Sequence, residues 1–359
     1  MENKILIPNS TSQQIIMVGV KRDTPGGMAS VINSYFQYIE DLQYITTWKL
    51  ASLPVKCWYA LKSILHFTLL LIFNHRIKVV HIQGAANASF SRKAMFIYLA
   101  KWFRKKVILH MHACDFVEYY DKSNKKEWIL RTINHCDTLI VLSQSWKEYF
   151  ASLGIPQDKI HILNNIVTPP INNSTPKSDN RLHLLFLGEI GKRKGIYDIL
   201  NALAQEREYF SDKLLLRIGG NLEEEKLRAT IQSLQLEEFV KFEGWVSGDK
   251  KRECLEWADI YILPSFNEGL PIGILEAMSY KMPIISSPVG GIPEVVHDHE
   301  NGLIVEPGNT LQIKNAIKFF IENPQLIQQY GKSSYNLVTP YFPESVMNSL
   351  NNIYQGLLK

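Results

Sequence analysis

Two glutamates in one segment have a spacing that can serve a ligand. Glu268 follows the apolar segment 258–265, and Glu276 lies further along in FNEGLPIGILEAMSYKMPII. Pro271 suits the first turn of a helix, so Glu276 would lie about a turn and a half inside that helix. Carboxylates there accept hydrogen bonds from sugar hydroxyls, and the free amides of the helix start favour a phosphate. The alternative is that Glu268 only caps the helix and Glu276 is solvated.

A run of cations precedes another helical pattern, in GEIGKRKGIYDIL. Lys192, Arg193 and Lys194 stand directly before Gly195. Cations beside free helix amides form a good diphosphate site, because charge-assisted hydrogen bonds act together with the backbone donors. A solvated basic loop is the alternative.

A pair of glycines follows the first strand-like segment, in KRDTPGGMASVINSYF. Gly26 and Gly27 allow the backbone to approach a ligand closely, and the helical pattern after them can face a diphosphate. The full Gly-x-Gly-x-x-Gly fingerprint is absent, so NAD is not predicted. The alternative is an ordinary strand-to-helix turn.

Histidines occur at two places where a metal is conceivable. His110 and His112 end the strand-like segment KVILHMHA, but no third zinc ligand is in evidence, and His110 is expected to be a packed core residue. The sequence HDHE at 297–300 resembles a metal cluster but precedes a turn, so a solvated loop is expected there. The sequence therefore predicts no metal site.

Strand-length apolar segments alternate with helical patterns, which predicts α/β domains built on parallel sheets. These segments are 13–20, 78–84, 106–113, 137–143, 182–188, 213–220, 239–245, 258–265, 282–288 and 301–307. A stretch rich in Pro, Asn and Ser after residue 167 indicates a linker. We predict an N-terminal domain over 1–170, a C-terminal domain over 171–342, and a last helix over 343–359 that packs back on the first domain. Chemistry is expected in the loops that follow strands, where such folds bind ligands.

Composition limits the class of protein. A chain of 359 residues with 46% hydrophobic residues predicts two folded domains. The four cysteines lack the spacing of a zinc site or a disulfide framework, which fits reduced thiols in a cytoplasm. The apolar start of the chain is too short for a signal peptide. The longest apolar run, 64–73, is too short to cross a bilayer, so it predicts a buried helix.

Charge is distributed unevenly along the chain. Residues 1–170 contain 20 Lys and Arg against 11 Asp and Glu, whereas the remainder contains 19 against 24. A basic half suggests an anionic partner. Within the segment 93–106, Trp102 and Phe103 lie among Lys101, Arg104, Lys105 and Lys106. This mixture suits the headgroup region of an anionic membrane, or alternatively a plain surface helix. No motif predicts nucleic-acid binding.

The segment from Glu268 to Glu276 resembles the Glu-x7-Glu signature of glycosyltransferase family 4, and GGIPE at 290–294 is also similar to that family. The resemblance covers nearly the whole chain. It implies a GT-B architecture, with two Rossmann-like domains facing each other across a cleft, and retention of anomeric configuration. It also implies a hexosyltransferase-type enzyme of bacterial cell-surface polysaccharide biosynthesis (capsule, exopolysaccharide or lipopolysaccharide), which moves a sugar from a nucleotide diphosphate to an acceptor hydroxyl.

The resemblance also implies roles for individual residues. Glu276 would bind the donor ribose, and Glu268 would contact the donor sugar. The backbone from Gly269 through Leu270 and Pro271 to Ile272 would contact that sugar as well. His112 matches the family histidine near the transferred sugar.

The donor phosphates have their own expected partners. Lys194 matches the family lysine that binds phosphate, whereas Glu189 stands where the family pattern has an arginine. A carboxylate there would repel a phosphate, and Arg193 is the candidate substitute. Gly26 and Gly27 resemble the glycine-rich first turn that lies against donor and acceptor.

In the mechanism so implied, cations of the protein stabilise the departing diphosphate and no metal or other cofactor is expected. His112, Glu268 and Lys194 are the expected catalytic residues. The expected partners are a nucleotide sugar and a lipid-linked glycan acceptor, for a cytoplasmic protein on the inner face of the cell membrane. Two alternatives stay open: a nucleotide-sugar epimerase of the same architecture, and a non-catalytic nucleotide-sugar-binding protein.

Overall fold

The computed structural model describes residues 4–24, 27–48, 52–112, 115–170 and 179–359. The chain divides into two compact units, Met1–Ile166 with Pro343–Lys359, and Val167–Phe342. Each unit contains one six-stranded sheet whose strands all pair in parallel. The parallel α/β architecture predicted from the sequence is confirmed.

The first sheet has the strand order β2-β1-β3-β4-β5-β6. Its strands are β1 Ile15–Gly19, β2 Gln43–Thr46, β3 Val79–Gly84, β4 Lys106–Met111, β5 Thr138–Val141 and β6 Ile160–Ile162. The helices of this part of the chain are α1 Asn9–Ser12, α2 Gly27–Tyr38, α3 Leu53–Phe73, α4 Asn87–Trp102, α5 Phe116–Lys122, α6 Lys126–Asn134 and α7 Gln144–Ser152. Strand β2 was not predicted because it is a short edge strand in which only Ile45 is buried.

The sequence-based prediction of a buried helix over 64–73 is wrong in part. The segment is the second half of α3, and Phe67 and Leu71 are buried in the core of the first unit. Leu65 and Phe73, however, are exposed, because only one side of the helix packs on the unit. Among the described residues, no helix has both the length and the apolar character needed to cross a membrane.

The second sheet has the strand order β12-β11-β10-β7-β8-β9. Its strands are β7 Leu182–Leu187, β8 Leu214–Gly219, β9 Val240–Gly244, β10 Ile260–Leu263, β11 Ile284–Ser286 and β12 Gly302–Ile304. The helices are α8 Ile196–Ala204, α9 Arg207–Ser211, α10 Glu224–Ser233, α11 Gly248–Trp257, α12 Ile272–Ser279, α13 Thr310–Glu322 and α14 Gln325–Val338. This order is the doubly wound arrangement in which the chain reverses direction across the sheet between β7 and β10.

The last helix, α15 Pro343–Leu358, belongs to the first unit. Its buried side chains recur at helical spacing and include Met347, Leu350 and Tyr354. Tyr354 contacts His81 of β3, and Gln355 donates a hydrogen bond to Thr11. The C-terminal helix therefore completes the packing of the first unit.

Candidate active site

The chemistry-bearing loops of the second unit meet at the reversal point of its sheet. Strands β7 and β10 are neighbours there, and the next strands along the chain lie on opposite sides of this pair. In open α/β sheets, ligands bind outside the carboxyl ends of the strands at such a point. The loop after β7 contains the three cations, and the loop after β10 contains Glu268. Topology alone thus places both predicted motifs at the expected binding position.

The two loops are held tightly against each other. Gly195 has φ +73°, and a Cβ atom there would collide with the carbonyl oxygen of Pro264. The amide of Phe266 donates to the carbonyl oxygen of Arg193 at 2.8 Å, and the Arg193 guanidinium donates to the Asn267 carbonyl oxygen at 3.2 Å. Only glycine satisfies both the left-handed backbone and the close approach at Gly195.

A buried ion pair lies at the junction of the loops. The Lys194 ammonium donates to Glu268 Oε1 at 2.5 Å, and the Ser265 hydroxyl donates to the same oxygen at 2.7 Å. Both charged side chains are largely removed from solvent. Removing two charges from water costs free energy, so stability alone does not explain a buried ion pair. The pair therefore indicates a specific role for Lys194 and Glu268.

Arg193 points towards the same carboxylate as Lys194. One of its guanidinium nitrogens lies 4.0 Å from Glu268 Oε2, and another donates to Glu189 Oε2 at 2.5 Å. Glu189, which stands where the family pattern has arginine, is therefore neutralised by Arg193. Lys194 and Arg193 are thus both held beside the carboxylate of Glu268.

Helix α12 begins at the end of the β10 loop. Pro271 is its N-cap with an extended backbone, and Ile272 is its first residue, so Glu276 lies in the second turn as predicted. Leu270 is buried and fixes the loop, while Gly269 and Ile272 are partly exposed. The helix start presents backbone amides at the same end of the sheet as the cations.

The segment GGIPE at 290–294 braces this loop. Gly290 has φ +57°, and a Cβ atom there would collide with the carbonyl oxygens of Glu268 and Gly269. The amide of Gly291 donates to the Gly269 carbonyl oxygen at 2.6 Å. Glycine is thus required at position 290 because one backbone segment lies directly on another.

Glu276 has a cationic partner that the sequence did not reveal. Lys251 of α11 donates to Glu276 Oε1 at 2.5 Å, and both side chains remain partly exposed. Since the pair is accessible to solvent, its carboxylate can exchange the lysine for the hydroxyls of a ligand at modest cost.

In the first unit, the reversal point lies between β1 and β3. Gly27 opens α2 after β1 and is exposed. The predicted contact residue Gly26 lies outside the described residues. His112 follows β4, and its amide donates to the Gly84 carbonyl oxygen at the end of β3. His112 therefore lies at the carboxyl edge of this sheet.

A chain of neutral polar groups leads to His112. His112 Nε2 donates to Gln83 Oε1 at 2.6 Å, and Gln83 Nε2 donates to His81 Nε2 at 3.2 Å. His81 Nδ1 then donates to the Tyr354 hydroxyl at 2.7 Å. With the Gln83 amide in this orientation, the Nδ1 atom of His112 is left as a hydrogen-bond acceptor.

His81, His110 and His112 are uncharged near neutral pH because burial lowers the pKa of each. Burial lowers the pKa of His81 to about 3 and that of His112 to about 4. His110 is fully buried, and burial together with its two histidine neighbours lowers its pKa well below the usual value. His110 stacks on His112 with ring centroids 4.2 Å apart, which agrees with its expected role as a packed core residue.

The described residues contain no group of three or more His, Cys, Asp or Glu side chains arranged for a metal. In the sequence HDHE, His297 pairs with Glu300 and His299 with Asp298 on the surface. These pairs leave the loop solvated, as expected.

The basic segment 93–106 does not form one cationic surface. Lys93 is fully buried and donates to Thr47 Oγ1 at 2.7 Å, and burial lowers the pKa of its ammonium. Lys101 and Lys106 both pair with Asp137, at 2.9 and 3.5 Å. Trp102 is highly exposed. Most of the charge predicted to face a membrane is therefore used within the first unit.

Sequence reasoning missed the supporting residues of both sites. Gln83, Tyr354 and Lys251 lie far along the chain from the residues that they contact, whereas Ser265 is three residues from Glu268. The signal for Gln83 is that β3 contains two polar residues, His81 and Gln83, among apolar ones, which buried partners would explain.

Two family models match consecutive parts of the chain. Residues 38–169 match the model described as Glycosyltransferase Family 4, and residues 168–337 match the one described as Glycosyl transferases group 1. The matches thus include His81, His110 and His112 of the first unit and all the charged pairs described for the second.

Curated relatives are similar to about half of the chain. This chain is 30% identical over 194 residues to the uncharacterized glycosyltransferase MJ1607 of Methanocaldococcus jannaschii. The matched residues cover 50% of this chain and 49% of the relative. The chain is 25% identical over 215 residues to the amylovoran biosynthesis glycosyltransferase AmsK of Erwinia amylovora, which covers 57% and 52%. The chain therefore spans about half the length of these curated relatives.

A solved structure is similar over nearly the whole chain. The crystal structure of Anabaena Alr3699/HepE in complex with UDP matches with a TM-score of 0.74 and 17% identity, and the match covers 96% of this chain and 99% of that one. At this identity the likeness shows the fold, which is the two-domain α/β GT-B fold.

Proposed function

Since the chain is a family 4-like glycosyltransferase, we propose that it moves a sugar from a nucleotide diphosphate to an acceptor hydroxyl, with retention of anomeric configuration. The observation that carries this proposal is the group formed by Lys194, Arg193 and Glu268 at the reversal point of the second sheet. A charged group of this kind suits a ligand with both phosphates and hydroxyls. That HepE was crystallised with UDP supports a nucleotide-sugar donor.

The donor diphosphate lies against Lys194, Arg193 and the amides at the start of α12. Lys194 reaches the phosphate by sharing its protons between Glu268 and a phosphate oxygen, since an ammonium group has three donors. Neutralisation of Glu189 by Arg193 removes the repulsion that a carboxylate there would cause. Lys194 and the amides of α12 would stabilise the leaving diphosphate, and we expect the transfer to proceed without a metal ion.

The sugar and the ribose are held by carboxylates. Glu268 accepts hydrogen bonds from the sugar hydroxyls, and the backbone from Gly269 to Ile272 lines the same place. Glu276 binds the ribose hydroxyls after releasing Lys251, because the partly exposed pair is weak. Carboxylates in fixed positions read hydroxyl patterns through charge-assisted hydrogen bonds.

The transfer step takes place on one face of the sugar. The bond between the anomeric carbon and the phosphate oxygen breaks, and the acceptor oxygen bonds to that carbon from the same side. The acceptor proton passes to the departing phosphate oxygen.

His112 acts as a neutral hydrogen-bonding group towards the sugar. Its low pKa keeps the imidazole uncharged, and the Gln83 partner leaves Nδ1 as an acceptor for a hydroxyl hydrogen. A neutral ring avoids adding charge beside a reacting centre that itself becomes positive. Glycan assembly on a lipid-linked acceptor at the inner face of the cell membrane fits the similarity to AmsK, a biosynthesis enzyme of amylovoran.

A donor screen tests the proposal. The purified chain is mixed with UDP-, GDP- and ADP-sugars, with and without EDTA, and thermal unfolding and release of the nucleoside diphosphate are measured. Stabilisation by one nucleotide class together with EDTA-insensitive hydrolysis supports a metal-independent transferase. Conversion of the sugar without release of the diphosphate would indicate an epimerase, and binding without turnover of any donor would indicate a binding protein.

A further inference from the structure

Helix α3 exposes an apolar stripe along one side. Six large apolar side chains are between 42% and 76% exposed: Trp58, Leu61, Leu65, Leu69, Ile72 and Phe73. Their spacing by three or four residues places them on one face of the helix. Phe67 and Leu71 on the other side are buried in the first unit. We call these six residues the α3 stripe.

The α3 stripe is larger than the scattered apolar exposure of an ordinary surface. The helix has 21 residues and is therefore about 30 Å long at 1.5 Å per residue. Phe67 packs against Phe96 of α4, with ring centroids 5.2 Å apart, so α3 is held on the unit by its inner side. Contiguous exposed apolar surface of this kind marks an interaction site.

The charge around the stripe identifies the kind of partner. No Asp or Glu occurs in residues 42–114, and three cations lie on or near the stripe. Lys62 follows Trp58 by four residues and shares the face of the stripe, and Arg76 and Lys78 lie exposed just beyond the end of the helix. A second copy of this chain would bring two positive surfaces together, whereas anionic headgroups would be attracted to this one.

We propose that α3 is a membrane-docking helix that lies flat on an anionic phospholipid bilayer. The α3 stripe enters the boundary between headgroups and acyl chains, and Lys62, Arg76 and Lys78 contact the anionic headgroups. An apolar face beside cations is the arrangement of helices that bind in the plane of the bilayer surface. The docking rests on surface chemistry alone and does not depend on the proposed sugar transfer.

Vesicle flotation tests this docking. The purified full chain is floated with vesicles of phosphatidylcholine, alone or mixed with phosphatidylglycerol. We expect binding to the mixed vesicles that weakens as NaCl is raised, because part of the attraction is electrostatic. We also expect a fall of about tenfold in apparent affinity for the double variant Leu65→Gln/Leu69→Gln, since apolar burial is lost.

Matched variants distinguish a specific effect of the α3 stripe on binding from the effect of the same substitution elsewhere on the surface. Leu311 on α13 is 56% exposed, close to the 60% of Leu65, so Leu311→Gln is the apolar control and should bind as the wild type does. Lys62→Glu should weaken binding, whereas Lys332→Glu on α14 should not. Thermal unfolding checks that each variant is folded, and the exposed positions make folding of the variants the expected result.

Three results would overturn the proposal. The first is a wild type that does not float with the mixed vesicles, and the second is equal flotation of the double variant. The third is a lipid-independent dimer that the double variant abolishes, because the stripe would then be an interface between two copies. Failure of the donor screen would leave the flotation result intact, so the two proposals fail separately.

Discussion

The reversal points of the two sheets differ in their electrostatics. In the second unit, Lys194 with Glu268 and Lys251 with Glu276 form charged pairs. In the first unit, the corresponding edge carries His112 at the end of a neutral hydrogen-bonded chain. The same topology therefore presents charge in one unit and a neutral acceptor in the other.

The difference matches the two tasks of the proposed reaction. A diphosphate that leaves with added negative charge needs cations, and these are held ready by carboxylates in the absence of a ligand. A sugar that becomes positive needs nearby groups without positive charge, which a histidine of low pKa provides. Each substitution below changes either the charged groups of the second unit or the neutral groups of the first.

The largest effect is expected from Lys194→Ala. Removal of this ammonium should lower the transfer rate by about a hundredfold or more, as loss of one charge-stabilising donor does in other active sites. The matched control is Lys192→Ala, which changes an exposed lysine of the same loop and should alter the rate little. Equal rates for both variants would remove Lys194 from the site.

The second prediction concerns Glu268→Gln, which keeps the shape of the side chain but removes its charge. Because Lys194 then loses its competing partner, affinity for the free nucleoside diphosphate should stay equal or increase. The turnover number should fall by about tenfold or more, since a charge-assisted contact to the sugar is lost. Titration calorimetry and initial rates measure the two effects. A parallel loss of nucleotide affinity would indicate that Glu268 only shapes the loop.

The third prediction concerns the neutral side, through Gln83→Glu. A carboxylate beside His112 Nε2 stabilises the imidazolium, so the pKa of His112 should rise from about 4 towards the ordinary range. A protonated His112 has no acceptor atom, so kcat/KM of the variant should fall as the pH is lowered, whereas the wild type should show no such titration between about pH 5.5 and 8. Identical pH profiles would contradict the proposed role of the Gln83 partner.

The smallest effect is expected from Tyr354→Phe. The variant removes the hydrogen bond between Tyr354 and His81, which is the one furthest from His112 in the hydrogen-bonded series. The net loss is about 1 kcal/mol, so activity should fall by roughly fivefold at most. The free energy of unfolding should decrease because the Nδ1 donor of His81 is left buried and unpaired. A variant with the stability of the wild type would show that the hydrogen-bonded series from His112 does not extend to Tyr354 of α15.

Much of the fold follows from the sequence because parallel strands buried on both faces are continuous apolar runs. Strands such as β1 and β10 are recognisable for this reason. The edge strand β2 is not, since three of its four residues are half exposed. The prediction of a buried helix over 64–73 is wrong in part because a largely apolar run does not reveal which side of α3 the protein covers.

The site is predictable only where its residues are close in sequence. The spacing of Glu268, Pro271 and Glu276 predicts helix α12 and the position of Glu276 in its second turn. Glu276 pairs with Lys251 of α11. The charged residues of α11 have the pattern of any solvent-exposed helix, so they do not single out Lys251. Long-range partners of this kind depend on tertiary packing, which a single sequence does not contain.

The central claim is that the reversal point of the second sheet binds a diphosphate. Its most direct test compares the affinities of a nucleoside diphosphate and the matching monophosphate for the wild type, Lys194→Ala and Lys192→Ala, each with and without EDTA. We expect the wild type and Lys192→Ala to prefer the diphosphate and Lys194→Ala to lose most of that preference, by about tenfold for one charge-assisted contact. An unchanged preference in Lys194→Ala, or a preference that disappears with EDTA in the wild type, would contradict the account.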